Sequence, residues 1–194
     1  MFAGWDTWAG EYTELLCLYR DATEELIEPI QHAVWSWPSL FGPFACRHIE
    51  PEDQPLVSPS DERAQYGVVT LPGETGRVAF RTHYIVDSHG LWLYAGMPEG
   101  SLCRVVPAGP SLGWDDGASR DWMFIIHDFL FGLAGHLHQR IPFERAVVGS
   151  LLTIEEVSQL AERSIPKIRW HSYMTTADNE LIYHPSNSLP PTTQ

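Results

Sequence analysis

The sequence predicts a single α+β domain in which an antiparallel β-meander packs against N-terminal helices and a buried central helix. Three observations carry this expectation. Residues 6–20 show a helical apolar stripe, the stretch from Tyr66 to Val106 breaks into four strand-like runs, and a long apolar segment, "IIHDFLFGLAGHLHQR", follows at residues 125–140. Helices, a meander, then a helix and a mixed end is the order expected of helices laid on an antiparallel sheet. At 194 residues the chain is long enough to bury one sizeable core. One domain over 1–187 is expected, with the polar, proline-containing residues 188–194 as a loose tail.

The elements follow in order. In "DTWAGEYTELLCLYR", Trp8, Tyr12, Leu15, Leu16 and Tyr19 fall at i, i+4, i+7, i+8 and i+11, which places them on one helix face with Glu11 and Glu14 off it. In "DATEELIEPIQHAVW", Asp21 and Glu24 have capping-box spacing, and Pro29 predicts a kink or a break between two short helices. The Pro and Gly of "SWPSLFGPF" close this helical region, and residues 50–63 read as a polar connecting loop. The runs "YGVVTL", "RVAFRTHYIVD", "GLWLYAGM" and "LCRVV" are separated by turn-forming "PGETG", "SHG" and "PEGS". In the second run Val78, Phe80, Thr82, Tyr84 and Val86 alternate with Ala79, Arg81, His83 and Ile85. The central helix follows, with Asp116 or Ser119 as candidate cap. Then come a strand at "RAVVGSLL", a helix at "TIEEVSQLAERS", and strands at "KIRWHSYMT" and "ELIYHP" across a turn at "ADN".

Composition narrows the function classes. The formal net charge is −13, and residues 1–62 hold twelve acids against two bases, so −10 of the −13 lies in that third. Such a field disfavours nucleic acid and anionic membranes and steers a basic partner. There is no basic stripe to neutralise phosphates, and no run approaches the roughly 18 apolar residues of a membrane span. The first residues lack the basic start and apolar run of a signal peptide, so a cytoplasmic location is expected. Cys17, Cys46 and Cys103 are widely spaced with no CxxC pair, which reads as free thiols without zinc or redox chemistry.

The histidine-rich segment is the strongest catalytic candidate, and helix geometry weakens it. At 100° per residue His127 and His136 point in opposite directions, while His127 and His138 share a face but lie about 16 Å apart along the axis. A helical metal pair needs i, i+3 or i, i+4 spacing, and none of these pairs has it. His127 and Asp128 are therefore read as hydrogen-bonded core groups. The enzyme alternative is a metal-dependent or acid–base hydrolase built around His127 and Asp128 with His83, His89 or His171. No GxxxxGK[ST], GxGxxG or GxSxG occurs, so no catalytic residue, metal or cofactor is assigned.

What remains is a binding surface. Trp5, Trp8, Trp35 and Trp37 all lie in the acidic third, and tryptophan among rim charges is a favoured interface anchor. Core packing is preferred for Trp8 and Trp92. The acidic face with aromatics, the lack of a catalytic motif and the ending "IRWHSYMTTADNELIYHPSNSLPP" together resemble the small bacterial immunity proteins that neutralise a toxin delivered by a neighbouring cell. That resemblance implies an inhibitor that occludes the active site of a cognate, basic toxin. The expected partner-binding residues are Glu11, Glu14, Asp21, Glu24, Glu25, Glu28, Trp35 and Trp37. A further alternative with the same electrostatics is an acidic nucleic-acid mimic that blocks a nuclease.

Overall fold

The computed structural model describes residues 2–60, 64–71, 76–105, 117–150, 152, 157, 160–162, 164–178 and 180–188, with the backbone alone for 117–122. The chain is an α+β domain built on one antiparallel sheet of eight strands, in the order β2-β3-β4-β5-β1-β6-β7-β8. The strands are β1 (Tyr12–Arg20), β2 (Leu40–Phe44), β3 (Ala64–Thr70), β4 (Arg77–Asp87), β5 (Gly90–Pro98), β6 (Arg145–Ser150), β7 (Ser172–Ala177) and β8 (Glu180–His184). The helices are α1 (Ile27–Trp35), α2 (Glu99–Val105) and α3 (Gly117–Arg140). The meander β3-β4-β5 has the expected alternation: Val78 and Phe80 enter the main core, while Ala79 faces the other way.

The largest departure from the sequence reading is residues 6–20, which form no helix. A 3-10 turn at Trp5–Trp8 leads directly into β1, the strand paired with both β5 and β6 near the middle of the sheet. The run "LLCLY" is buried on both sides: Leu15, Cys17 and Tyr19 face α1 and α3, while Leu16 and Leu18 pack with Trp92, Val147, Leu160 and Tyr173 on the opposite face. A strand covered on both faces reads as a continuous apolar run, and such a run also contains helical spacings.

Three smaller corrections follow the same logic. Of "LCRVV", residues 102–105 are helical in α2, which follows β5 directly, and Val106 lies outside the described residues. "LFGPF" is edge strand β2 rather than a simple stop; its Pro sits where the β2–β3 register shifts, at a sheet edge that tolerates a missing donor. Pro29 lies in the first turn of α1, where its absent N–H costs nothing, and the break comes just before it as a 3-10 turn at Glu24–Leu26. Asp116 lies outside the described residues, and Ser119 falls inside α3 rather than at its cap.

The main core lies between the sheet and the two longer helices. α3 contributes Ile126, Phe129, Leu130, Leu133, Ala134 and Leu137 at helical spacing, and α1 contributes Ile27, Ile30 and Val34. Burial of α3 is one-sided, since Phe124 and Asp128 are exposed. Trp8 and Trp92 are core residues, as expected. Cys17 is buried, Cys46 and Cys103 are half-buried, and all three are free thiols. Of the helix expected at "TIEEVSQLAERS", Val157, Leu160 and Ala161 are helical and the rest lies mostly outside the described residues. At the C-terminal end, Asn187 and Ser188 both donate backbone N–H bonds to the Arg169 carbonyl, so the packed chain runs through Ser188.

Candidate functional site

The acids expected to share one surface are divided by β1. Glu11 precedes this strand and Asp21 follows it, so on the order of 30 Å separates them at roughly 3.3 Å per residue. Asp21, Glu24, Glu25 and Glu28 form the larger group. All four are exposed and lie within the turn after β1 and the start of α1. Asp21 holds a positive φ of 57°, which turns the chain sharply there. The nearest arginine does not neutralise the group, because Arg20 pairs with Glu144 and donates from Nη2 to the Ala161 carbonyl. Among the described residues only His32 approaches, at 3.7 Å from Glu28. Beside the turn opens a groove of about 510 Å³ whose lining includes Tyr19, Asp21, Leu26, Phe143 and Glu144.

The expected aromatic anchors are placed differently. Trp35 is buried, its ring edge-on to Phe80 and its Nε1 donating to Gln65 Oε1 at 2.7 Å, so it is a core residue and offers no surface to a partner. Trp37 is half-buried against His136 and covers Gly132. Of the four tryptophans in the acidic third the exposed one is Trp5, 82% accessible, at the Glu11 end of the sheet beside Asp6. There Asp6 pairs with Arg104 at 2.5 Å, and that bond holds its carboxyl below the usual carboxylate range.

Glu14 does not belong to either acidic group. On β1 it shares the parity of Leu16 and Leu18, so it points to the face of the sheet away from α1 and α3. It pairs with Gly96 of β5 on one side and Gly149 of β6 on the other, and Gly96 pairs in turn with Arg81 of β4. A Cβ added at Gly96 would lie 2.5 Å from Glu14 Cβ, and one at Gly149 would lie 2.0 Å from His171 Nδ1. Two glycines thus make the room that Glu14 and His171 occupy. Around them stand Arg81, stacked 4.2 Å over the Tyr12 ring, and His83, stacked 4.3 Å from Tyr94. Arg47 reaches the same neighbourhood over the ring of Tyr66, and Tyr66 is the register partner of Arg81. Burial pushes the Glu14 carboxyl up to about 7, against the opposing pull of Arg81. Burial and Arg81 together hold His83 down to about 4, so it is a neutral imidazole.

Two of the three histidines of α3 have structural partners, and His127, expected to be hydrogen-bonded, does not at Nε2. His136 bonds Ser36 and the Ala33 carbonyl, and His138 is buried against Phe143. His127 is half-buried and held down to about 4 by burial, with His171 adding to the effect; its Nε2 makes no hydrogen bond. Asp128, expected as a bonded core group, is instead exposed to solvent. His89 sits exposed in the β4–β5 turn, and His83 belongs to the Glu14 cluster. Among the described residues no three His, Cys, Asp or Glu side chains come together as metal ligands, and no helix is long and apolar enough to cross a membrane. Comparison of the chain with protein-family models, with curated proteins and with solved structures finds no match.

Proposed function

We propose that this chain is a binding protein of the immunity type, which neutralises a cognate basic toxin by covering its active site. The observation that carries the reading is the exposure of Asp21, Glu24, Glu25 and Glu28 in one short stretch whose nearest arginine is engaged elsewhere. A concentrated negative field of this kind raises the encounter rate with a positive surface and costs little in folding, because exposed like charges repel weakly in water. The groove beside Asp21 supplies what charge alone lacks: a recess with an apolar wall at Leu26 and Phe143, suited to a partner's arginine or lysine stem. In this reading Glu24, Glu25 and Glu28 steer and Asp21 anchors. Trp35 has no part in it, and Glu11 with Trp5 forms a separate, smaller acidic end.

The test is charge reversal at the surface. Wild type and the Glu24→Lys, Glu25→Lys, Glu28→Lys triple variant, both folded, are used to capture proteins from the lysate of the producing cell at low salt. The captured basic protein is then purified and its activity assayed with each form. Loss of both capture and inhibition in the triple variant is the expected result. Equal capture and equal inhibition by both forms would remove this surface from the function.

A further inference from the structure

We propose that the sheet face around Glu14 is a binding site for a small oxyanion-bearing molecule, a carboxylate or a phosphate ester, held by Arg81 and Arg47 with Glu14, Tyr12, Tyr94 and His83 completing its hydrogen bonds. The inference is independent of the acidic surface at α1. It begins from a polar inventory. Tyr12, Glu14, Arg81, His83 and Tyr94 are all half-buried on one face of the sheet, and none of their side chains makes a hydrogen bond among the described residues. Their polar atoms remain open to solvent, so a dissolved molecule can reach several of them together. A cluster of convergent polar groups on an otherwise well-packed sheet marks a place where a ligand can take over from water as their partner.

The chemistry of the set selects the ligand. Burial pushes the Tyr12 hydroxyl up, so it stays a proton donor, while two guanidiniums, Arg81 and Arg47, oppose that shift with positive charge beside it. The Arg81 guanidinium carbon sits 4.2 Å over the Tyr12 ring and its N–H groups make no hydrogen bond among the described residues, so they can fork onto an oxyanion. Both tyrosines and the neutral His83 can donate. Glu14 is protonated for much of the time near neutral pH, so it too can donate. Donors therefore outnumber acceptors, as an oxyanion requires and a cation does not. The overall charge of −13 disfavours an anion at long range, but that repulsion is screened beyond about 8 Å at physiological salt, whereas Arg81 acts in contact. Gly96 and Gly149 are consistent with this reading, because only residues without a Cβ let the Glu14 side chain and the His171 ring settle onto the sheet at this point.

A site of this kind is linked to protons through Glu14. The groups facing it are Arg81 from β4, Tyr12 on its own strand, Tyr94 from β5 and His171 beside Gly149, with Arg47 and His83 behind Tyr12 and Tyr94. Raising the pH ionises Glu14, and its charge then repels the bound anion. The full chain is titrated at constant ionic strength with sulfate, standing for a phosphate ester, and separately with acetate, standing for a carboxylate. Neither probe changes charge between pH 6 and pH 8. The backbone amide signals of Gly96 and Gly149 are followed by NMR. Saturable shifts are expected with at least one probe, and the probe that binds tighter identifies the ligand class. The wild-type affinity falls on the order of tenfold from pH 6 to pH 8, since the interaction changes by about one pKa unit's worth of energy. The Glu14→Gln variant loses most of this pH dependence, and Arg81→Met binds at least about tenfold more weakly with an unchanged fold. Shifts that stay linear to about 50 mM of both probes, a pH profile that Glu14→Gln does not alter, or equal binding by Arg81→Met would each overturn the assignment. If Arg81→Met does not fold, the comparison of wild type with Glu14→Gln still decides it.

Discussion

Glu14 is the residue whose environment departs furthest from its sequence appearance. Its carboxyl is pushed up to about 7 from an ordinary value of 4.5, so over that interval the folded chain binds more protons at Glu14 than the unfolded chain does. Stability therefore falls as pH rises from 4.5 to 7, by about 1–3 kcal/mol once partial solvent access is allowed for. Chemical denaturation at pH 4.5 and pH 7 should show Glu14→Gln gaining stability relative to wild type at the higher pH only. His83 and His127, both held near 4, act in the opposite sense: their contribution is full above 6.5 and is lost as pH falls towards 4. The variant difference is thus the informative quantity, because the wild-type curve sums opposed terms. Trp35 supplies a second residue-scale check. Removing its indole N–H by Trp35→Phe leaves Gln65 without its donor and opens space against Phe80 and Gly67. The expected cost is about 1–3 kcal/mol in a denaturant titration, with no change in partner binding.

At the scale of elements, what the sequence revealed depended on how many faces an element buries. The meander was legible because β4 sends Val78 and Phe80 into the main core while its other face carries Arg81 and His83, and β7 and β8 were legible through their turn. β1 was not, because "YTELLCLYR" is buried on both sides and its apolar residues satisfy helical spacing as well as strand parity. That misreading also hid the Glu14 site. On a helix Glu14 looks like one more solvated acid, whereas on a strand it is an acid on the parity of Leu16 and Leu18. Its neighbours Arg81, Gly96 and Gly149 come from three other strands, and their convergence depends on a register that no local pattern encodes. The two glycines of α3 differ in the same way: Trp37 approaches Gly132, whereas nothing lies near Gly135. Two alanine substitutions separate these environments. Gly96→Ala drives a methyl onto Glu14 Cβ and the β1 backbone and should destabilise by about 1–3 kcal/mol. Gly135→Ala meets only open space on an α-helix and should stabilise by about 0.5–1 kcal/mol in the same thermal-unfolding assay.

For the whole molecule, the sequence-level charge asymmetry becomes a spatial one, although not as a single patch. β1 carries Glu11 and the exposed Trp5 to one end of the sheet and the Asp21–Glu28 group to the other, with the Glu14 cluster on the face between them. The central claim is that the Asp21–Glu28 end meets a basic partner. The most direct measurement is the association rate of the captured partner with wild type and with the Glu24→Lys, Glu25→Lys, Glu28→Lys variant across a series of salt concentrations. Electrostatic steering predicts that the wild-type rate falls steeply with salt, and that reversal slows association on the order of ten- to a hundredfold at low salt while the two rates converge at high salt. Equal rates for the two proteins at low salt, with the same salt dependence, would contradict the account.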